Sequence, residues 1–390
     1  MEEWKEYKIG ELCKISSSKR IFANEYTNSG IPFYRGKEII EKQSGNKIST
    51  ELYISNERFN EIKQKYGVPQ KGDMLLTSVG SLGVPYVVQD ETFYFKDGNL
   101  TWFSDFNNLD SRYLYYWFLS PEGKYNIDNK SIGSTQKALT IDALSKFNIK
   151  LPSLIEQKRI ANFLSSLDDK IELNRQINDN LEQQAQALYL TYFSNTPLCC
   201  LGDMVKTASG GTPSRNNLDY YSHSGIDWVK SKELNRSIIF QTEERITNNA
   251  INYSSAKVLP KYSTLIAMYG ATVGEYGLIA EPMTCNQAIC ALIPNENYPY
   301  TYLFMFAKNV RQELINNAVG SAQQNISQVM IKNMQISSDL DSIKKYDDSV
   351  RGIFDSYIHL SKEISYLTEL RDTLLPRLMS GELKINEINC

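Results

Sequence analysis

The sequence predicts an α+β protein made of one unit used twice. A mixed globule is followed by a long helix, then a second globule by a second helix, and the two helices pair as an antiparallel coiled coil. Three observations predict this. Four sequence blocks recur in the same order at nearly constant spacing. Two stretches of about forty residues carry apolar residues at alternating spacings of four and three. The runs between them are short, strand-like and broken by Gly, Asn and Pro at turn spacing.

In chain order the expected segments are a globule over 1–152, a central helix over 153–196, a second globule over 197–338 and a C-terminal helix over 339–390. In the first globule, IGELCKI at 9–15 parallels LGDMVKT at 201–207, and GIPFYRGKEI at 30–39 parallels GIDWVKSKEL at 225–234. QKGDMLLTSVGSLG at 70–83 parallels PKYSTLIAMYGATVG at 260–274, with one residue inserted. IGSTQKALTIDALSKFNI at 132–149 parallels VGSAQQNISQVMIKNMQI at 319–336. The last block matches without a gap into the helices, with Gly133/Gly320, Ile171/Ile358, Ile177/Ile364 and Leu188/Leu375 identical. Asp73-Met-Leu-Leu-Thr-Ser-Val and Thr264-Leu-Ile-Ala-Met-Tyr read as strands; Tyr113-Leu-Tyr-Tyr-Trp-Phe-Leu and Tyr302-Leu-Phe-Met-Phe-Ala read as short buried helices whose aromatics are core.

The central helix opens at Ser153 followed by Glu156, a capping box just after Pro152. Its expected seam is Ile160, Leu164, Leu167, Ile171, Asn174, Asn178, Leu181, Ala185, Leu188 and Tyr192. The second helix carries Val350, Ile353, Tyr357, Leu360, Ile364, Leu367, Leu374 and Leu378 on one stripe; Pro376 is expected to bend or end its last turn and Gly381 to stop it. A stripe this narrow is not buried by a helix alone, so the two are expected to pair. Asn174 and Asn178 would set register at some loss of stability.

The composition excludes several classes. With 42 Lys+Arg against 45 Asp+Glu and 42 % hydrophobic residues, the 390-residue chain is neither collagen-like nor wholly disordered. No run of about 18 apolar residues occurs, so no membrane span is expected. MEEWKEYKIGELCK lacks the apolar core of a signal peptide, and six cysteines without a CxxC make no disulfide or zinc framework, so a reducing cytoplasm is expected. Two histidines, His223 and His359, make no triad or metal site, and HExxH, Walker A, GxSxG and the Asn-Pro-Pro-aromatic tetrad of adenine methyltransferases are all absent. Asp168-Asp169-Lys170 is read as a solvated helix face. Neither a catalytic nor a metal-binding residue is expected.

The net charge of −3 hides an uneven distribution. Residues 14–47 hold seven basic and three acidic groups, 130–150 four and one, and 205–236 five and three; the helical segments 154–193 and 339–382 are acidic in excess. Phosphate contact needs local Lys and Arg, not a positive total. The candidate DNA-binding residues of the first copy are Ser17, Ser18, Lys19, Arg20, Tyr34, Arg35, Lys37, Ser134, Gln136 and Lys137. Those of the second are Ser209, Gly210, Gly211, Thr212, Arg215, Lys230, Lys232, Gln323, Gln324 and Asn325. Small and hydroxyl residues let backbone N–H groups approach a phosphate, Arg suits a phosphate or guanine O6/N7, and amides suit adenine N6/N7.

These residues also carry a resemblance. Leu151-Pro-Ser-Leu-Ile-Glu-Gln-Lys-Arg-Ile160, Ser209-Gly-Gly-Thr-Pro-Ser-Arg215 with Ile226-Asp-Trp-Val229, and Leu374-Leu-Pro-Arg-Leu-Met-Ser-Gly-Glu-Leu383, in this order, resemble the specificity (S) subunits of type I restriction-modification enzymes over essentially the whole chain. The resemblance implies two target recognition domains, each reading half of a split site in double-stranded DNA, and a helix pair that sets the spacer. It implies a non-catalytic chain without cofactor of its own, two methyltransferase (M) subunits that bind S-adenosylmethionine and dock on the helices, and restriction/translocase (R) subunits that use ATP and Mg. Copy one has Ser16-Ser-Ser-Lys-Arg20 where copy two has the fuller Gly-Gly-Thr-Pro pattern, and Asp339-Leu-Asp-Ser replaces the helix-opening wording of copy one. A different class, a coiled-coil scaffold joining partner subunits without DNA, fits the helices alone; salt-dependent, sequence-selective duplex binding discriminates against it.

Overall fold

The structure is a computed structural model that describes residues 4–45, 47–49, 51–133, 137–318 and 324–388. It divides into two compact units: Met1–Glu172 with Leu367–Cys390, and Leu173–Tyr366. Packing therefore regroups the four sequence segments. Each unit takes one globule together with the parts of both helices that pack on it.

In the first unit, Lys5–Lys8 pairs antiparallel with Asn148–Leu151, clasping the ends of the globule directly before the central helix. A four-stranded antiparallel sheet runs in the order Lys14–Ser16, Leu100–Ser104, Met74–Thr77, Pro85–Val87. Met74–Thr77 is buried along its whole length, as its unbroken apolar run requires. A second four-stranded sheet joins Tyr26–Thr27, Tyr53–Ile54, Ile31–Tyr34 and Tyr94–Phe95, the last pair parallel. The helix Ser111–Leu119 is capped by the Asp110 carboxylate, which accepts from the backbone N–H groups of Arg112 (3.0 Å) and Tyr113 (3.2 Å). Its Tyr113, Tyr116, Trp117 and Phe118 are core.

The second unit repeats this plan. Leu198–Cys200 pairs with Gln335–Ser337; a sheet runs Thr207–Ser209, Ile289–Leu292, Thr264–Ala267, Tyr276–Ile279 with Ile238–Ile239 added at one edge; and Tyr221–Val229 pairs in parallel with Thr284–Cys285. The aromatic helix is longer here than the sequence suggested, Tyr300–Asn316, because apolar positions continue to Leu314 on the same buried face.

The two long helices span Leu154–Phe193 and Leu340–Met379. The Ser153 hydroxyl accepts from the Glu156 N–H (3.4 Å), and Asp339 takes the same role for the second helix by accepting from the Ser342 N–H (3.1 Å). Gln157 is buried and ties the first turn to the globule: its amide oxygen accepts from Asp110 N–H and its NH2 donates to the carbonyls of Asn108 and Pro152. Pro376 does not end the second helix, which continues to Met379; Gly381, at φ +74°, follows it against the Trp4 indole.

The pairing is antiparallel in each unit. In the first, Ile160 and Leu164 share a core with Leu374 and Leu378, and the Asp168 carboxylate accepts from Arg371 (2.7 Å) and the Tyr116 hydroxyl (2.6 Å). Asp168 is thus a cross-helix tie rather than part of a solvated face. In the second, the Asn174 amide donates to Glu363 (2.8 Å), Asn178 to the Ser361 hydroxyl (3.0 Å), and the Tyr346 hydroxyl donates to the Ala185 carbonyl (3.2 Å). Ile171, Asn174, Asn178 and Tyr357 are buried. Leu167, Leu181, Leu188, Leu360, Ile364 and Leu367 are only half-buried. Ala185 and Tyr189 take the buried positions near the end of the central helix, where the globule's aromatic helix joins the seam.

Candidate nucleic-acid interface

The candidate cations fall into two groups, Arg35 and Lys230 held by internal carboxylates and Lys37, Lys232 and Arg20 paired but largely exposed. In the first unit the Lys19 backbone N–H donates to the Tyr94 hydroxyl (2.6 Å), the Ser17 hydroxyl accepts from Gly98 N–H (3.5 Å), Ser18 is half-buried, and Arg20 pairs with Asp97 (2.8 Å). Tyr34, expected at the surface, is buried: it stacks on Phe93 with ring centroids 4.8 Å apart, and the Lys42 ammonium sits 5.2 Å from its ring. Burial pushes its hydroxyl up to about 12. It is a core residue, because the end of Ile31–Tyr34 is covered on both faces: Phe33 and Tyr34 point to opposite sides and each joins a separate apolar cluster.

Arg35 and Lys230 explain why the basic motif recurs. Each is the residue before a short helix, and its backbone N–H donates to the Glu three residues on: Arg35 to Glu38 (2.8 Å), Lys230 to Glu233 (2.7 Å). Glu38 is fully buried. Burial opposes its charge, and hydrogen bonds from the Arg35 side chain and backbone outweigh that and hold its carboxyl below the ordinary range. Lys37 and Lys232 occupy equivalent outward positions and remain mostly exposed, 3.9 Å from Glu41 and 2.7 Å from Glu243.

In the second unit the Gly-Gly-Thr-Pro segment is packing, not an open cradle. A Cβ on Gly210 would lie 2.1 Å from the Cys285 carbonyl oxygen, and one on Gly211 2.4 Å from the Ala256 nitrogen. Ser209 ends a strand opposite Cys290, Gly211 accepts from the Trp228 indole (3.0 Å), and Thr212 is exposed. Arg215 lies 4.3 Å from the Tyr221 ring and 5.3 Å from Trp228, with Glu244 at 2.6 Å. Lys230 bridges Glu243 (2.9 Å) and Glu244 (2.8 Å). These two carboxylates, which sequence reading missed, line a cleft of about 380 Å³ with Tyr221, Ser222, His223, Thr242 and Arg245. The acidic Glu243-Glu244 doublet was the available signal, but its partners lie about 10 to 30 residues away.

Hydrogen bonds from Lys232 and Lys230 hold the Glu243 carboxyl at about 2, down from 4.5. A carboxyl depressed in the folded state contributes stability above its unfolded value, and that contribution is lost as pH falls from about 4.5 toward 2. The thermal midpoint of the second unit should therefore drop over this window, and drop less in Glu243→Gln. The carboxylate is solvent-exposed, so the difference is small. Identical pH profiles for variant and wild type would show that the pairing adds nothing.

Ser134, Gln136 and Gln323 lie outside the described residues. Lys137 and Gln324 are exposed, and Asn325 is half-buried. Among the described residues no group of three or more His, Cys, Asp or Glu could hold a metal, and no helix is long and apolar enough to cross a membrane. Cys13, Cys199, Cys200, Cys285 and Cys290 are free thiols; burial pushes those of Cys13, Cys285 and Cys290 up to about 12.

Residues 1–183 and 197–338 match the family described as "Type I restriction modification DNA specificity domain". The chain belongs to the type I specificity family. Both family matches fall on the duplicated globules, the first running on into the central helix. Over 98 % of this chain and all of its relative, the specificity family member HindI of Haemophilus influenzae is 24 % identical. The MjaIX specificity subunit of Methanocaldococcus jannaschii is 23 % identical over 99 % of this chain and 95 % of its own. The crystal structure of a type I restriction-modification S subunit from M. genitalium shares the fold, with a TM-score of 0.63, 16 % identity and 96 % coverage of both chains.

Proposed function

We propose that this chain is the non-catalytic, sequence-reading subunit of a type I restriction-modification complex. Each globule reads one half of a split site in double-stranded DNA. The helix pair sets the spacer and presents faces to two methyltransferase subunits, which supply S-adenosylmethionine; restriction subunits supply ATP- and Mg-dependent translocation. The carrying observation is the duplication itself: two globules of one plan, each packed with its own stretch of two long helices that run antiparallel within that unit. Single recognition modules are weak, and joining two of them converts the second binding step into an intramolecular one.

The exposed ammonium groups of Lys37 and Lys232 are the phosphate contacts this reading favours, and DNA must compete with Glu41 and Glu243 for them. Methylome sequencing of the host with and without the gene tests the reading. A split adenine-methylated motif should vanish on deletion and return on complementation. An unchanged methylome sinks the assignment.

A further inference from the structure

The two units share a hydrogen-bond frame around one loop. In the first, the Ser78 N–H donates to the Asn99 carbonyl (2.8 Å), the Leu139 N–H to the Ser78 carbonyl (2.9 Å), and Val79 bridges Ala138. In the second, the Met268 N–H donates to the Ala288 carbonyl (2.7 Å), the Ile326 N–H to the Met268 carbonyl (2.9 Å), and Tyr269 bridges Asn325. A left-handed glycine follows in each case, Gly80 at φ +83° and Gly270 at φ +73°. A Cβ on Gly80 would meet nothing within 4 Å, so the backbone turn alone requires glycine there and that point of the loop is open, while Leu82 and Gly83 return it to the body beside Ile127.

The frame is repeated, but what it projects is not. The first unit presents exposed Ser81 and Lys137 beside half-buried Val79. The second presents Tyr269, Ala271 and Gln324, with Asn325 opposite Tyr269 across the bridge. Tyr269 is 41 % exposed, and neither its ring nor its hydroxyl has a partner among the described residues. By contrast Arg35, Arg215 and Lys230, candidate DNA-binding residues of the basic motifs, are held by internal carboxylates. A protein that reads two different half-sites with one fold needs a constant frame and a variable tip, and these loops have that form.

We propose that the two loops are the base-reading tips, and that Tyr269 is a specificity-determining residue of the second unit. This rests on the DNA-reading function proposed above. At the second tip the Tyr269 ring covers a base or thymine methyl while the Gln324 and Asn325 amides suit adenine N6/N7. At the first, Lys137 suits guanine O6/N7 and the Ser81 hydroxyl suits either base.

The test replaces the gene in its host with Tyr269→Ala, Gln324→Ala or Lys137→Ala and reads the methylome, with thermal unfolding of each purified full-length chain as the folding control. Tyr269→Ala and Gln324→Ala should relax or lose one half of the split motif, with modification of the original sites falling about tenfold or more. Lys137→Ala should act on the other half. Gln324→Ala keeps the test decisive if Tyr269→Ala fails to fold. A wild-type motif that all three variants reproduce in sequence and occupancy overturns the loop assignment alone. A wild-type chain that directs no split motif overturns the function on which it rests.

Discussion

Removing one heptad from each long helix, 171–177 together with 361–367, should lower affinity for the native split site about 100-fold while leaving each half-site preference intact. The two deletions are matched across the antiparallel pair. Asp168 faces Arg371, Asn174 faces Glu363 and Asn178 faces Ser361, so the flanking turns meet again in the same register. Each heptad shortens its helix by about 10 Å. Apart from Gly45, which lies beside Glu172, the globules lie outside the deleted turns and should melt nearly as before. What changes is whether both half-sites can be engaged at once; when they cannot, the gain from intramolecular binding disappears. Binding titrations on native and altered spacers check this. Deleting the heptad from one helix alone is the control, because it leaves seven partner residues without a seam and should destabilise the pair itself. Unchanged affinity for the native spacer in the matched variant would remove the spacer role from the helices.

Gly210→Ala should lower the thermal midpoint of the second unit by roughly 10 °C and leave the first unit's unchanged. The new methyl would stand 2.1 Å from the Cys285 carbonyl oxygen and 2.3 Å from that of Asn286. Both are backbone atoms, and Asn286 is itself tied to the Val229 carbonyl (2.9 Å), so neither moves without opening the parallel pair beside Trp228. The cost is about 3 kcal/mol. A phosphate-cradling glycine predicts the opposite pattern, weakened DNA binding at unchanged stability. Calorimetry of the full-length chain, combined with DNA titration, separates the two.

Much of the architecture was legible in the sequence because its signals are local or strictly periodic. The duplication shows as ordered blocks at a steady offset, and the atomic equivalence of Ser78 with Met268 and of Leu139 with Ile326 follows the same alignment. The helices show as heptad stripes, and their antiparallel pairing holds at Asp168–Arg371 and Asn174–Glu363. The seam was less legible where its burial depends on neighbours: Leu360, Ile364 and Leu367 are only half-buried, whereas Tyr189 gains burial from the aromatic helix beside it.

Lys37, Lys232, Lys137 and Gln324 lie outward, but Tyr34 is core, Arg215 is held over two aromatic rings, and Gly210 and Gly211 are close-packed. The 260–274 block was visible as a repeat, yet nothing in it marked Tyr269 as exposed at the turn.

By itself the sequence determined that this protein is one unit of about 190 residues used twice, with two heptad helices and a charge balance that separates acidic rods from basic loops. Tertiary structure decided which of the basic groups are available. An ion pair depends on residues far apart in the chain, such as Arg215 and Glu244 or Asp168 and Arg371, and composition carries no information about such partners. It also decided that the end of the second helix belongs with the first globule, because an apolar stripe records that a face must be buried and only packing selects what buries it.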